Sequence, residues 1–476
     1  MNEIPITGSE LGELIKKGFK PQTLKDLLNF GLEMQERLLD IETEEKLSVM
    51  SELAERWKNA LDMGELDDLV SLLSRKTGYC EKMIRMDLEY VSTVLDPDAI
   101  SISLEQSLPG GIESLDAFVE VESGEMYRCM PAGPVLIIGS GNSVLPVVIS
   151  GVLSLMTNNF TLIRPSKTNL EAVFSLFRML REMASEETPI AETAREISNA
   201  SFIFYDEIDG EILECMLKKC DLGVVNFWGD ESALSEIEKA LSANPHYPRY
   251  CFLAPMTGYA VVHQGADLKE AAHALAEALV YYDQQLSSSP TEACFIGNFE
   301  SAKEFAEEVR KALEGLTSEF PIKKTDYEEK LIMRVRNKLR MSGSYVLVPS
   351  DGGPDWTLVV SDGKSNLERI FPSVKEFTLK MRRRFIEIIV TESESDVVER
   401  LRILQQREPF EGIIGVQSVG LSVPDAVFET LTPMLAVIGV HRIIPLKDMH
   451  LRSPIEPFDG KHMASEFVNI IYVRKE

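Results

Sequence analysis

The sequence predicts an α/β protein: two doubly wound α/β domains, a helical region ahead of them, and a C-terminal strand used for sheet extension or oligomerisation. Three observations predict it. Between residues 9 and about 95, apolar residues recur at three- and four-residue spacing with charges between them, as in "LKDLLNFGLEMQERLLDI", which is the period of an amphipathic helix. From residue 134 onward, short apolar runs bounded by Gly, Asn or Pro alternate with helical stretches, the pattern of a parallel sheet covered on both faces. A second set of such runs begins near residue 256.

In the first set, "PVLIIGS" (134–140), "FTLIRP" (160–165), "SFIFYD" (201–206) and "LGVVNFWG" (222–229) read as strands, each followed by a helix. Parallel crossovers are right-handed, so the ligand crevice belongs at the carboxyl ends of these strands. In the second set, "YAVVHQG" (259–265) precedes the helix "LKEAAHALAEALVYYDQQ", and "EACFIGN" (292–298) precedes "ESAKEFAEEVRKALEGL". Further strands are "SYVLVPS" (344–350), "WTLVVSD" (356–362), "FIEIIVT" (385–391) and "GIIGVQS" (412–418). The last, "VNIIYVR" (468–474), stands behind a Pro- and Gly-bearing stretch and needs a sheet edge, in its own chain or in a partner. The divisions expected are 1–125, 126–255, 256–440 and 441–476.

Bulk properties narrow the function. The 476 residues suffice for two or three domains. A formal net charge of −27 repels nucleic acid and anionic membrane surfaces, so neither is an expected partner. No charged residue occurs from Pro131 to Ile163. Gly139, Gly141, Asn142, Ser143 and Pro146 interrupt that stretch early, which argues for strand, turn and buried helix and against membrane insertion. Six scattered cysteines with no Cys-x-x-Cys pair read as reduced, buried thiols of a cytoplasmic protein, with no metal site. Glu3, Glu10 and Glu13 argue against a signal peptide. The histidines His246, His263, His273, His441, His450 and His462 are isolated and read as structural.

Three segments carry chemistry. "GSGNSVLP" (139–146) links a strand to a helix; Asn142 offers an amide donor for a developing oxyanion, and a tight turn is the plainer reading. The third glycine of the dinucleotide fingerprint is absent. "RPSK" (164–167) brackets Ser166 with Arg164 and Lys167. Cations at the positive end of a helix are mildly unfavourable, which favours anion binding over a solvated helix start. "FWGDES" (227–232) sets Gly229 directly after a strand. A phosphate fits there, and so does an ordinary helix start capped by Asp230.

Together with "SRKTGYCEKMI", "NFWGDES", "YYDQQLSSSP", "GVQSVGL" and "HRIIPLKDMH…EPFDG", these segments resemble the LuxC family of acyl-CoA reductases, within the aldehyde dehydrogenase superfamily. The resemblance runs over nearly the whole chain. It implies an NADP-binding Rossmann-like domain at 126–255, a catalytic domain at 256–440 and an oligomerisation strand in the tail. It implies reduction of a fatty acyl-CoA or other acyl thioester to an aldehyde with NADPH, through an acyl-enzyme at position 287. Asn142 and the backbone N–H of residue 287 would hold the oxyanion. Arg164, Ser166, Lys167 and Gly229 would hold the cofactor, with the two cations favouring a 2′-phosphate. A homodimer or homotetramer is implied. The segment 249–262, where aldehyde-oxidising relatives carry a glutamate base, has no carboxylate, as suits thioester chemistry.

The chain departs from the family pattern at one decisive place. Where the motif has cysteine, this chain has Ser287. A thiol of pKa about 8.5 is a few per cent thiolate near neutrality, whereas a hydroxyl needs an adjacent base. Three readings stand open: a degenerate member that binds without turnover, a serine introduced to trap an inactive form, or a serine served by a base from elsewhere in the fold. The alternative from another class is a non-catalytic NADPH- or acyl-CoA-binding protein or partner subunit on the same scaffold.

Overall fold

The computed structural model describes residues 21–229, 231–253 and 255–475. The start of the helical region, residues 9–20, lies outside them. The chain forms two compact units. The first comprises the described residues of Met1–Thr77, Ile84–Ala254 and Ser453–Glu476; the second comprises Gly78–Met83 and Pro255–Arg452. Among the described residues, the helical region falls in the first unit except for Gly78–Met83, and the tail divides at residue 452.

The first unit holds helices Pro21–Leu39, Thr43–Asp62, Asp67–Thr77, the part of Glu81–Val94 from Ile84 onward, and Pro97–Ser107 ahead of its sheets. Two strands not expected from the sequence follow, β1 (Val119–Glu122) and β2 (Glu125–Pro131). The main sheet comprises β3 (Val135–Ile138), β4 (Thr161–Arg164), β5 (Ser201–Ile203), β6 (Val224–Trp228) and β7 (Arg249–Leu253), ordered β5-β4-β3-β6-β7 and parallel throughout. β3 and β4 are buried along their whole length. Leu136, Ile138, Leu162, Phe202, Val225 and Phe227 form one apolar layer with helix Glu211–Lys219; full burial of each such side chain is worth about 1.5–3 kcal/mol. Helix Leu145–Met156, which lies within the uncharged stretch, has Pro146 in its first turn and is a core helix. Among the described residues no helix is long and apolar enough to cross a membrane.

The second unit is built on a seven-stranded sheet of β8 (Thr257–His263), β9 (Pro290–Ile296), β10 (Tyr345–Leu347), β11 (Thr357–Asp362), β12 (Phe385–Thr391), β13 (Val416–Ser422) and β14 (Arg442–Pro445). The order is β10-β11-β12-β9-β8-β13-β14, with only β10 antiparallel. Helices Leu268–Val280 and Phe299–Glu319 pack closely together, the first capped by Asp267. The C-terminal strand β15 (Val468–Arg474) pairs antiparallel with β2 in the same chain, giving a sheet ordered β1-β2-β15.

Candidate functional site

In the first unit the strand order reverses between β3 and β6, and the loops at the carboxyl ends of these strands flank the point where open α/β sheets bind ligands. The loop after β3 is held from two directions. Ser143 Oγ and Val144 N–H donate to the Asp87 carboxylate at 2.5 and 3.0 Å, and Asn169 Nδ2 donates to the carbonyls of Ser140 and Ser143 at 3.1 and 2.7 Å. Asn142 sits exposed at the tip of this tied loop. Gly139 is required by close packing, since a Cβ there would lie 2.1 Å from Val147 Cγ2.

The loop after β4 differs from expectation in one respect. Arg164 is only 5% exposed. Its Nε donates to the Asp206 carbonyl at 2.8 Å, its guanidinium lies 5.4 Å from the Tyr205 ring, and burial lowers its pKa. Lys167 is exposed, and Ser166 Oγ shares a hydrogen bond with Thr168 Oγ1 at 2.8 Å, which in turn donates to the Gly141 carbonyl at 3.0 Å. After β6, Gly229 adjoins Trp228, whose indole N–H lies 2.9 Å from both Ser150 Oγ and Asn226 Oδ1. Asp230 lies outside the described residues. Lys167 thus presents an exposed cation beside the reversal point, whereas Arg164 is buried and tied to the Asp206 carbonyl.

In the second unit the expected helix through Gln285 ends instead at Val280. Tyr282, Asp283 and Gln284 are all left-handed, with φ of 52°, 49° and 64°. Such a conformation costs a residue with a Cβ about 1–2 kcal/mol, so three in a row must be held by their surroundings. Asp283 accepts from Arg384 Nε at 2.9 Å and Arg383 Nη2 at 2.5 Å. The Gln284 amide imitates a strand residue: its Oε1 accepts from Phe385 N–H at 2.8 Å, and its Nε2 donates to the carbonyls of Phe385 and Pro290 at 3.0 and 2.8 Å. On the other side, Tyr282 N–H donates to Met83 Sδ at 3.1 Å, and its ring meets Tyr79 edge-on at 6.0 Å. Half-buried Lys324 donates from Nζ to the carbonyls of Pro354, Asp355 and Arg383; loss of solvent around the ammonium and the charges of Arg383, Arg384 and Arg336 push its pKa down to about 7.

Beyond this knot, Ser289 N–H bonds the Leu286 carbonyl at 3.0 Å and closes a turn with exposed Ser287 in it. The turn rests on β8: a Cβ on Gly258 would lie 2.0 Å from the Ser288 carbonyl oxygen. Ser287 Oγ donates to Gln417 Oε1 at 3.2 Å, and Arg452 Nη2 donates to the same oxygen at 3.1 Å. An amide oxygen is no proton acceptor for catalysis, so this contact leaves the hydroxyl a weak nucleophile. The nearest thiol in sequence, Cys294, is buried in β9, and its pKa is pushed up to about 12 by burial. Asn142 belongs to the first unit and Ser287 to the second.

Sequence reasoning missed Gln417, Gly258, Arg383 and Arg384. Gln417 lay within a quoted motif, "GVQSVGL", but nothing in its composition marks it as a neighbour of residue 287. Among the described residues no group of three or more His, Cys, Asp or Glu could hold a metal ion.

A family model described as acyl-CoA reductase (LuxC) matches residues 38–470. Long-chain acyl-protein thioester reductases are among the relatives. That of Aliivibrio fischeri is 22% identical over 314 residues, covering 66% of this chain and 62% of that protein. That of Photorhabdus luminescens is 21% identical over 339 residues, 68% of each. The chain thus spans about three fifths of the Aliivibrio protein's length. Among solved structures, an NAD-dependent aldehyde dehydrogenase from Sinorhizobium meliloti superposes with a TM-score of 0.70 at 12% identity, covering 96% of this chain and 87% of that one. The glyceraldehyde-3-phosphate dehydrogenase GapN from Methanocaldococcus jannaschii, complexed with NADP, gives 0.68 at 12%, covering 96% and 95%. The fold is that of the aldehyde dehydrogenases, and with the family match running through both compact units, the chain belongs to the LuxC family of acyl-CoA reductases.

Proposed function

We propose that this protein is an NADPH-dependent acyl-thioester reductase by architecture, with residue 287 as the acyl acceptor and the serine there holding turnover far below that of a thiol. The observation that carries the reading is the built turn: Ser287 stands exposed, on a support only glycine fits, at the place where the family has its nucleophile. In the reaction so assigned, the side-chain atom of residue 287 attacks the thioester carbonyl. The acyl group moves to residue 287, and the thiol leaves with the proton. NADPH, when bound, would supply the hydride; the bond between the acyl carbon and residue 287 then breaks, the aldehyde leaves, and residue 287 regains its proton from solvent. Asn142 would donate to the oxyanion, Lys167 and Ser166 would hold the 2′-phosphate end of the cofactor with Arg164 in support, and Gly229 would admit its phosphates. A fatty acyl-CoA is the substrate class.

One observation favours the second reading, a non-catalytic binder of NADPH or acyl-CoA: the Ser287 hydroxyl spends its proton on an amide oxygen. We read the protein as cytoplasmic, and as a homodimer or homotetramer, which exposed Ile470, Ile471 and Tyr472 on β15 support. The test is NADPH consumption with a panel of acyl-CoAs, for this chain and for Ser287→Cys. Turnover on the order of a hundredfold or more higher in the variant is expected; robust turnover by the unmodified chain removes the binding-only reading. Cofactor binding is followed separately by tryptophan emission, since Trp57 and Trp356 are buried and Trp228 is half-buried beside Gly229. Equal affinity for NADH and NADPH would remove the role given to Lys167 and Arg164.

A further inference from the structure

We propose that Asp283 and Gln284 are positioning residues that register position 287 against strand β12; this rests on the reading that residue 287 takes the acyl group. A helix-to-strand link needs only a glycine or two to reverse direction without strain. Here the chain uses Tyr282, Asp283 and Gln284, all left-handed, and the side chains of the last two are spent on the amino end of β12. Arg384, which receives Asp283, is itself left-handed with φ of 52° and fully buried. Two strained backbones therefore clasp one another through an ion pair. Gln284 then adds a rung to β12 at Phe385 and ties it to Pro290, the first residue of β9. Only Gln285 to Ser289 lie between these two anchors, and that segment is the turn bearing position 287 over Gly258 and beside Gln417. The reach of the turn is thus fixed at both ends by one amide side chain. That explains why the costlier residues stand where glycine would fold more easily: they orient the acceptor, and a glycine would merely turn the chain.

The proposal is tested in full-length protein carrying Ser287→Cys. To it is added Gln284→Met, which keeps the size and removes the three amide bonds, or Asp283→Asn, which keeps the shape and removes the charge. The measurements are kcat and KM for an acyl-CoA, the Trp228 emission response to NADPH, and the pH dependence of iodoacetamide alkylation at position 287, resolved by peptide mass spectrometry. In Gln284→Met we expect an unchanged NADPH response, kcat lower by about tenfold, KM within about twofold, and an alkylation midpoint moved by at least ~0.5 pH unit toward the free-cysteine value, because the thiol drifts from the Arg452 side. A folded Gln284→Met variant with unchanged kcat and midpoint overturns the proposal. If Asp283→Asn does not fold, Gln284→Met decides alone; if neither folds, the clamp is structural and the proposal fails. A moved midpoint in a protein that no acyl-CoA acylates would leave the positioning intact and sink the reductase reading.

Discussion

The two compact units hold their loops by opposite means. In the first, the sheet is apolar and its crevice loops are tied largely by bonds to backbone groups and by close backbone approach, with Asp87 and Arg164 as buried charges that are not paired with each other. In the second, a short turn is surrounded by buried ions. Asp283 lies with Arg383 and Arg384. Glu292 in β9 is gripped by Arg400 and Arg407 and receives the Tyr259 hydroxyl at 2.6 Å. Burial alone would raise the Glu292 pKa, but the two guanidinium charges outweigh it and bring it down to about 2. Buried ion pairs add little net stability over an apolar core of the same shape, yet breaking one is costly. The contrast teaches that a crevice for a long, flexible ligand can be built from backbone, whereas a single reacting side chain needs directional anchors.

The sharpest way to break this contrast is Glu292→Gln, which removes the buried carboxylate shared by Arg400 and Arg407 and leaves them only the half-exposed Glu368. We expect a loss of about 3–5 kcal/mol, read by urea unfolding; a loss below about 1 kcal/mol would show that the ion network is dispensable. Its pH dependence follows from the depressed pKa. Stability supplied by ionised Glu292 is fully present above its ordinary value of 4.5 and is lost as pH falls toward about 2. The acid limb should therefore be flatter in the variant. Next is Gly258→Ala, where the new methyl would press on the Ser288 carbonyl. About 1–3 kcal/mol of destabilisation should accompany a displaced turn, seen as slower alkylation at position 287 in the Ser287→Cys background; unaltered reactivity would mean the support is not required. The smallest effect belongs to Lys324. Its folded pKa of about 7 lies below the ordinary 10.5, so the unfolded chain binds that proton more tightly and stability rises with pH between those values. Lys324→Met should lower the slope of stability against pH in that window, and an identical slope in both proteins would place the lysine outside the buried cluster.

Legibility in the sequence followed the same division. Strands β3, β4 and β6 are continuous apolar runs ended by small or polar residues, so period and punctuation sufficed. β1, β2, β7 and β14 escaped notice because they are short or half-exposed, and β2 takes one of its partners from the far end of the chain. The helix end at Val280 was illegible for a related reason. No glycine marks the left-handed residues; they are imposed by Arg383, Arg384 and Phe385, about a hundred residues further on, which propensity does not see. Arg164 shows the reverse error: its place at a strand end was read correctly, but its burial beside Asp206 and Tyr205 depends on the neighbouring strand's loop.

The pairing of β15 with β2 has a consequence for how the protein is made. Asn469 bonds back to the Pro131 carbonyl, 338 positions earlier, and all of the second unit's principal segment is synthesised between them. While a ribosome is still producing that segment, β2 has β1 on one side and an open row of backbone donors and acceptors on the other. The first unit therefore begins first and finishes last, and its exposed strand edge is a target for chaperones, or for the same strand of another nascent chain, until residues 468–474 emerge.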